Sequence, residues 1–233
     1  MAAERLRRQR EVALGYRIFA SLRWGDLGDG HITARDPEQT DHMWMLRHQV
    51  PFEYATVKDL VLIGPDGSIV EGSGEINVTG YLIHHPIHEA RPDIVSAAHT
   101  HGQWSTPFSA ECRLLEPIVQ EACIFYDDHS LFEGEEVQVS TYECGKRIAA
   151  ALAGNRAVIL RNHGFLTTGS SVAQTIQNFV QMERVAEAHL KAPNAKPISR
   201  EAALEAKADL LQAGDSDFGY LVARHVGDPS VVG

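Results

Sequence analysis

The chain has 233 residues, 44% of them hydrophobic and 22% charged, with a formal net charge of -10. A chain this acidic is a poor match for a phosphate backbone, which needs clustered Lys and Arg, so nucleic-acid binding is not expected. Its three cysteines, Cys112, Cys123 and Cys144, form no C-x-x-C pair, which argues against a disulfide framework or a zinc ribbon.

In chain order, Leu6, Val12, Ala13, Tyr16, Phe19 and Leu22 recur at mostly helical spacing and predict an amphipathic helix over 4–22. Its arginines alternate with Glu4 and Glu11 and read as a solvated face. Gly25, Gly28 and Gly30 end it. His31 to Arg35 and Met43 to Leu46 are short strands. Residues 60–63 and 68–70 flank Pro65-Asp66-Gly67, a hairpin signal because Asp-Gly accepts the positive φ angles of a tight turn. A helix over 81–90 stops before Pro92, and 94–99 is a buried strand. A helix over 140–153 opens with Ser140 and Glu143 as a capping box. Residues 157–160 form a buried strand. A long helix runs from Ser170 or Ser171 to about Leu190, and another spans 199–211. The tail from Gly214 is assigned no element. No apolar run reaches spanning length and no signal core opens the chain, so no membrane association and a cytoplasmic location are expected. Strands interleave with helices and no linker divides them, which predicts a layered α/β domain around one sheet.

The chemistry concentrates in His99-Thr100-His101-Gly102 and in Arg161-Asn162-His163-Gly164 at the exit of another strand. Side chains at i and i+2 of a strand share a face, so His99 and His101 project together. With His163 they predict a three-nitrogen site for a divalent ion, open to water or substrate.

These motifs, together with Arg91-Pro92-Asp93, Gly30-His31-Ile32-Thr33-Ala34-Arg35 and Pro51-Phe52-Glu53, resemble the class II aldolase/adducin family over roughly residues 10–192. The resemblance implies a three-layer α/β/α fold around a mixed, largely antiparallel sheet. It implies a single domain over 1–233, with 193–233 a helical extension and tail. It implies zinc, or manganese, cobalt or iron, on His99, His101 and His163. It also implies a small-molecule substrate and a homotetramer with sites between subunits.

The chain departs from the family's sugar-phosphate aldolases. Their catalytic Glu falls on Gly80 here, and their Ser-Ser pair on Val78-Thr79. Their phosphate loops read Gly30-His31-Ile32-Thr33 and Leu46-Arg47-His48-Gln49. These changes resemble the adducin-like branch and its decarboxylases of hydroxylated aromatic or heteroaromatic acids. A metal-dependent carbon–carbon lyase is therefore expected, with decarboxylation ahead of retro-aldol cleavage and a non-catalytic adducin-like module as the rival. His31, Arg47, His48 and Thr79 are the expected substrate contacts, Arg being suited to a planar carboxylate. Arg35 is a further candidate cation or a structural residue. His84 and Tyr126 are the candidate catalytic groups, with Tyr126 reaching a neighbouring subunit's site. His85 and His88 read as a polar helix face. Gln103 is expected in the pocket wall, and Trp104 there or in the core.

Overall fold

The computed structural model describes residues 1–212, 214 and 216–233. Eight strands form one sheet in the order β4-β3-β2-β1-β5-β8-β7-β6. They are β1 (Gly30–Arg35), β2 (Met43–Leu46), β3 (Leu60–Ile63), β4 (Ile69–Glu71), β5 (Ser96–Thr100), β6 (His129–Phe132), β7 (Ala157–Leu160) and β8 (Gly164–Gly169). Every neighbouring pair is antiparallel except β6 with β7.

Helices cover both faces. One is covered by α1 (Ala2–Ser21), α5 (Val172–Lys191) and α7 (Asp217–His225). Val12, Phe19, Ile176 and Phe179 pack there on Ile32, Ala98, Ile159 and Phe165. The other face carries α2 (Val78–Ala90) and α4 (Tyr142–Leu152), whose Ile83, Ile87 and Ile148 meet Val158, Leu160 and Leu166. The strict alternation of Val158/Leu160 with Ile159 is the period-2 pattern of a strand buried on both sides. The three-layer mixed-sheet architecture is as expected. A five-residue helix, α3 (Ser105–Ser109), follows the His pair, and α6 (Arg200–Leu211) follows the long helix.

The structure corrects several element boundaries. Asn77 caps α2, its side chain accepting from the Gly80 N–H, so that helix begins at Val78 rather than Tyr81. Thr141, not Ser140, caps α4, accepting from the Cys144 N–H. Adjacent hydroxyls are indistinguishable by pattern, and only the backbone decides which takes the extended cap conformation. Strands β6 and β8 and helices α3 and α7 stand where no element was expected. Among the described residues, no helix is long and apolar enough to cross a membrane.

Candidate metal centre and adjoining cleft

Two central strands deliver the three imidazoles. His99 lies in β5, 1% exposed, and His101 follows the strand end. His163 sits in the turn between β7 and β8. That turn closes through Asn162 at φ 56 and Gly164 at φ 148. The latter is a conformation that glycine tolerates and L side chains rarely adopt, so Gly164 brings His163 back over the end of β5. The three ring centroids stand 4.8 to 5.4 Å apart with interplanar angles of 76 to 88°. One ligand nitrogen from each ring falls within 4.8 Å of the others.

The donor chemistry fits a divalent ion. His99 Nδ1–H donates to the Phe165 carbonyl at 2.8 Å, which leaves Nε2 as a lone pair. Asp29 Oδ2 stands 3.3 Å from His101 Nδ1 and orients that ring in the same sense. Burial, then the neighbouring His163, holds His99 well below the ordinary histidine range. Burial, then His101, holds His163 down at about 4. Neutral imidazoles are what coordination requires. Below the pair, the buried Glu183 carboxylate accepts from the Trp104 and Ser105 N–H groups at 3.0 and 2.8 Å and pins the loop leaving His101.

A cleft of about 720 Å³ runs alongside, lined by Tyr16, Gly30, Arg47, His48, Phe52 and Asn77 among others. Its Gly30 end pairs with Thr100, between His99 and His101. Tyr16 and Phe52 give it an aromatic wall, edge-to-face at 4.6 Å between centroids. Arg47 is held by Asp59 at 2.8 Å through one nitrogen. The remaining guanidinium donors are left for the cleft.

Of the expected substrate contacts, Arg47 and His48 meet in this cleft, whereas Thr79 lies in the first turn of α2 outside its lining. His31 is in the sheet, 4% exposed, directly opposite His99 in the β1–β5 register, with ring centroids 5.1 Å apart. His84 is one residue further in, its Nε2 2.7 Å from His31 Nδ1. Tyr126 precedes the edge strand β6, where Arg200 packs over its ring. Two strands, β8 and β7, separate β6 from β5 in the sheet. Arg35 spends its donors on the carbonyls of Thr40, His88, Arg91 and Ile94, a structural role. Gln103 and Trp104 line a separate groove with Glu183, Arg184 and Arg224. Sequence reasoning missed Asp29, Asn77 and Glu183, since a single acid or amide in a loop or helix carries no pattern. It also missed His88, whose Nε2 lies 2.9 Å from Thr33 Oγ1.

Burial, then Arg35, holds His88 down at about 3. The unfolded chain therefore takes up a proton near pH 6.5 that the folded chain refuses until about pH 3. The sign follows: this contribution is intact above pH 6.5 and is lost as pH falls, at a limiting slope on the order of 1.4 kcal/mol per unit. In urea melts, His88→Gln is expected to flatten the decline in stability between pH 6 and 4. A slope equal to wild type would show that His88 already exchanges its proton in the folded state.

A model of the class II aldolase and adducin N-terminal domain matches residues 10–190. The meiotically up-regulated gene 14 protein of Schizosaccharomyces pombe is 30% identical over 234 residues, covering 95% of this chain and 91% of that protein. Decarboxylase NovR of Streptomyces niveus is 38% identical over 162 residues, covering 69% of this chain and 60% of NovR. The solved L-fuculose 1-phosphate aldolase from Glaciozyma antarctica PI12 superposes with a TM-score of 0.84 at 30% identity, over 95% of this chain and 90% of that one. The chain belongs to the class II aldolase and adducin family.

Proposed function

We propose that the chain is a divalent-metal-dependent carbon–carbon lyase that decarboxylates a hydroxylated aromatic or heteroaromatic carboxylic acid. The observation that carries this reading is the convergence of three imidazoles from two strand ends beside a cleft with an aromatic wall and Arg47 in its lining. His99, His101 and His163 would hold the ion, with zinc first and manganese, cobalt or iron as alternatives. When bound, the ion supplies a Lewis acid for negative charge developing on substrate oxygen.

The chain's own residues do the rest. Tyr16 and Phe52 shelter the ring of the substrate from water. Arg47, with His48 beside it, binds and orients the carboxylate. Asp29 keeps the His101 ring aimed. The bond from ring carbon to carboxylate carbon breaks, carbon dioxide leaves, and a proton replaces it on the ring carbon. The donor of that proton is Tyr126 of a second copy or solvent entering the cleft, and the assembly proposed is a homotetramer.

Gly80 supports decarboxylation over aldol chemistry. An added Cβ at 80 would lie 3.0 Å from the His31 ring and from Met45 Sδ, so the place of a carboxylate base is filled by an imidazole. Three well-oriented histidines serve no purpose in a pure interaction module. The test is a screen of the zinc-loaded chain against hydroxybenzoic and hydroxypyridine carboxylic acids and against aldol substrates. Carbon dioxide release is expected; aldehyde release alone would replace decarboxylation with retro-aldol cleavage.

A further inference from the structure

Between β1 and α2, an otherwise apolar layer contains a continuous polar chain. His31 Nδ1 lies 2.7 Å from His84 Nε2, His84 Nδ1 lies 2.7 Å from Thr33 Oγ1, and His88 Nε2 lies 2.9 Å from the same hydroxyl. Register places His31 opposite His99 and Thr33 opposite Ala97 on this face of the sheet. His31, Thr33, His84 and His88 are all buried.

Counting protons gives the chain a direction. Each contact needs one hydrogen between its two atoms, and a neutral imidazole carries a single N–H. Thr33 has one proton to give. Its candidate acceptors are His84 Nδ1 at 2.7 Å, His88 Nε2 at 2.9 Å and the Ala97 carbonyl at 3.5 Å, the last at the outer limit of a hydrogen bond. The shortest contact takes the proton. His84 then accepts at Nδ1, carries its hydrogen on Nε2, and donates to His31 Nδ1. His31 in turn must carry its hydrogen on Nε2.

The far end of the chain agrees. His88 Nδ1 is buried with no partner. In this direction His88 donates from Nε2 to Thr33, so the orphan is a bare lone pair. Run the other way, with Thr33 donating to His88, the orphan becomes a stranded N–H, the rarer and costlier defect.

We propose that His31 is a catalytic residue presenting an Nε2–H donor to the substrate oxygen at the three-histidine site, with Thr33, His84 and His88 as positioning residues that fix this tautomer. A protonated Nε2 cannot become a fourth ligand, so the ion keeps coordination positions for water or substrate. The His31 ring is buried and held by His84 at 2.7 Å, and a preoriented donor of this kind is effective toward a developing oxyanion. Gly80 makes the arrangement feasible, because any side chain there would push into the His31 ring. The oxygen recognised is that of a carboxylate or phenolate. This last assignment rests on the lyase reading; the tautomer does not.

The experiment uses the full chain, zinc-loaded and labelled with ¹⁵N-histidine, with long-range proton–nitrogen correlations read for each ring. His31, His84 and His88 are all expected as the Nε2–H tautomer, and addition of salicylate as an oxygen-bearing probe should shift the His31 Nε2–H resonance. A His31 ring protonated at Nδ1 would overturn the proposed direction, and an Nε2–H that ignores salicylate would overturn the contact. On any acid the wild type decarboxylates, His31→Leu should lower kcat about a hundredfold at unchanged zinc content. His31→Gln, which keeps an N–H at that end, should recover part of the loss. Equal loss in both variants would reduce His31 to a packing residue. A wild-type chain that shows the tautomer and the salicylate shift but turns over no acid would remove the lyase reading and leave the donor in place.

Discussion

His99→Ala is expected to abolish binding of the divalent ion and with it the lyase activity, while the fold survives. The wild-type chain should hold roughly one ion per chain on three nitrogens. Removing one leaves His101 and His163, a pair that cannot compete with buffer and water for a labile ion. Loss of the Lewis acid removes several kcal/mol of charge stabilisation, so activity should fall on the order of a thousandfold or more. The substitution also leaves the Phe165 carbonyl without its 2.8 Å donor in a buried sheet. That costs about 1–3 kcal/mol, well inside the stability of an ordinary domain. His163→Ala separates the two effects. His163 lies in a turn, only partly buried, so metal and activity should vanish with a smaller shift in melting temperature. Elemental analysis of both purified variants, beside circular dichroism, checks the expectation; a full ion retained in His99→Ala would mean that the ligands are other residues.

The second large effect is on stability. A Cβ at Gly145 would fall 1.9 Å from the Leu82 carbonyl oxygen and 3.0 Å from Pro86 Cγ. The obstacle is mainly helix backbone, which cannot rotate away as a side-chain tip can, so α2 and α4 must separate. Gly145→Ala is expected to cost about 3 kcal/mol or more, although alanine is the better helix former in isolation. The consequence reaches the site, because α2 carries His84 against His31. Chemical denaturation should show a large fall in midpoint, and a midpoint equal to wild type would mean that the two helices are not in contact at this glycine.

Elements with a clean hydropathy period were legible in the sequence, among them β1, β2, β3, β7, α1 and α5. β8 was not. Its Gly-Phe-Leu-Thr-Thr-Gly run buries both threonines, and each satisfies its hydroxyl on a backbone carbonyl, Thr167 on Thr175 at 3.0 Å and Thr168 on Arg156 at 3.2 Å. β6 opens with His129, which is polar in sequence yet apolar in effect, because Phe125 O and the Leu115 N–H take up both ring nitrogens. Hydropathy reads residue type, and in these strands a tertiary partner decides burial.

The same limit applies at the site. The grouping of His99, His101 and His163 was readable, because strand alternation and a His-Gly turn are local features. The role of His88 was not. On a helical wheel it is one of three histidines, and its meaning comes from Thr33 across the β1–α2 boundary. Asp29 likewise acquires significance only when the Gly-rich loop folds beside His101. Gly80 was legible as a missing acid, and the structure adds that an imidazole fills the space.

The central claim is most directly tested by measuring carbon dioxide released from hydroxylated aromatic carboxylic acids by the zinc-loaded chain, before chelation, after removal of the ion, and after its return. The account predicts stoichiometric carbon dioxide and decarboxylated product, lost on chelation and restored by one equivalent of metal. Release that persists in fully chelated protein, or a loaded chain that releases none from any member of the class, would contradict it.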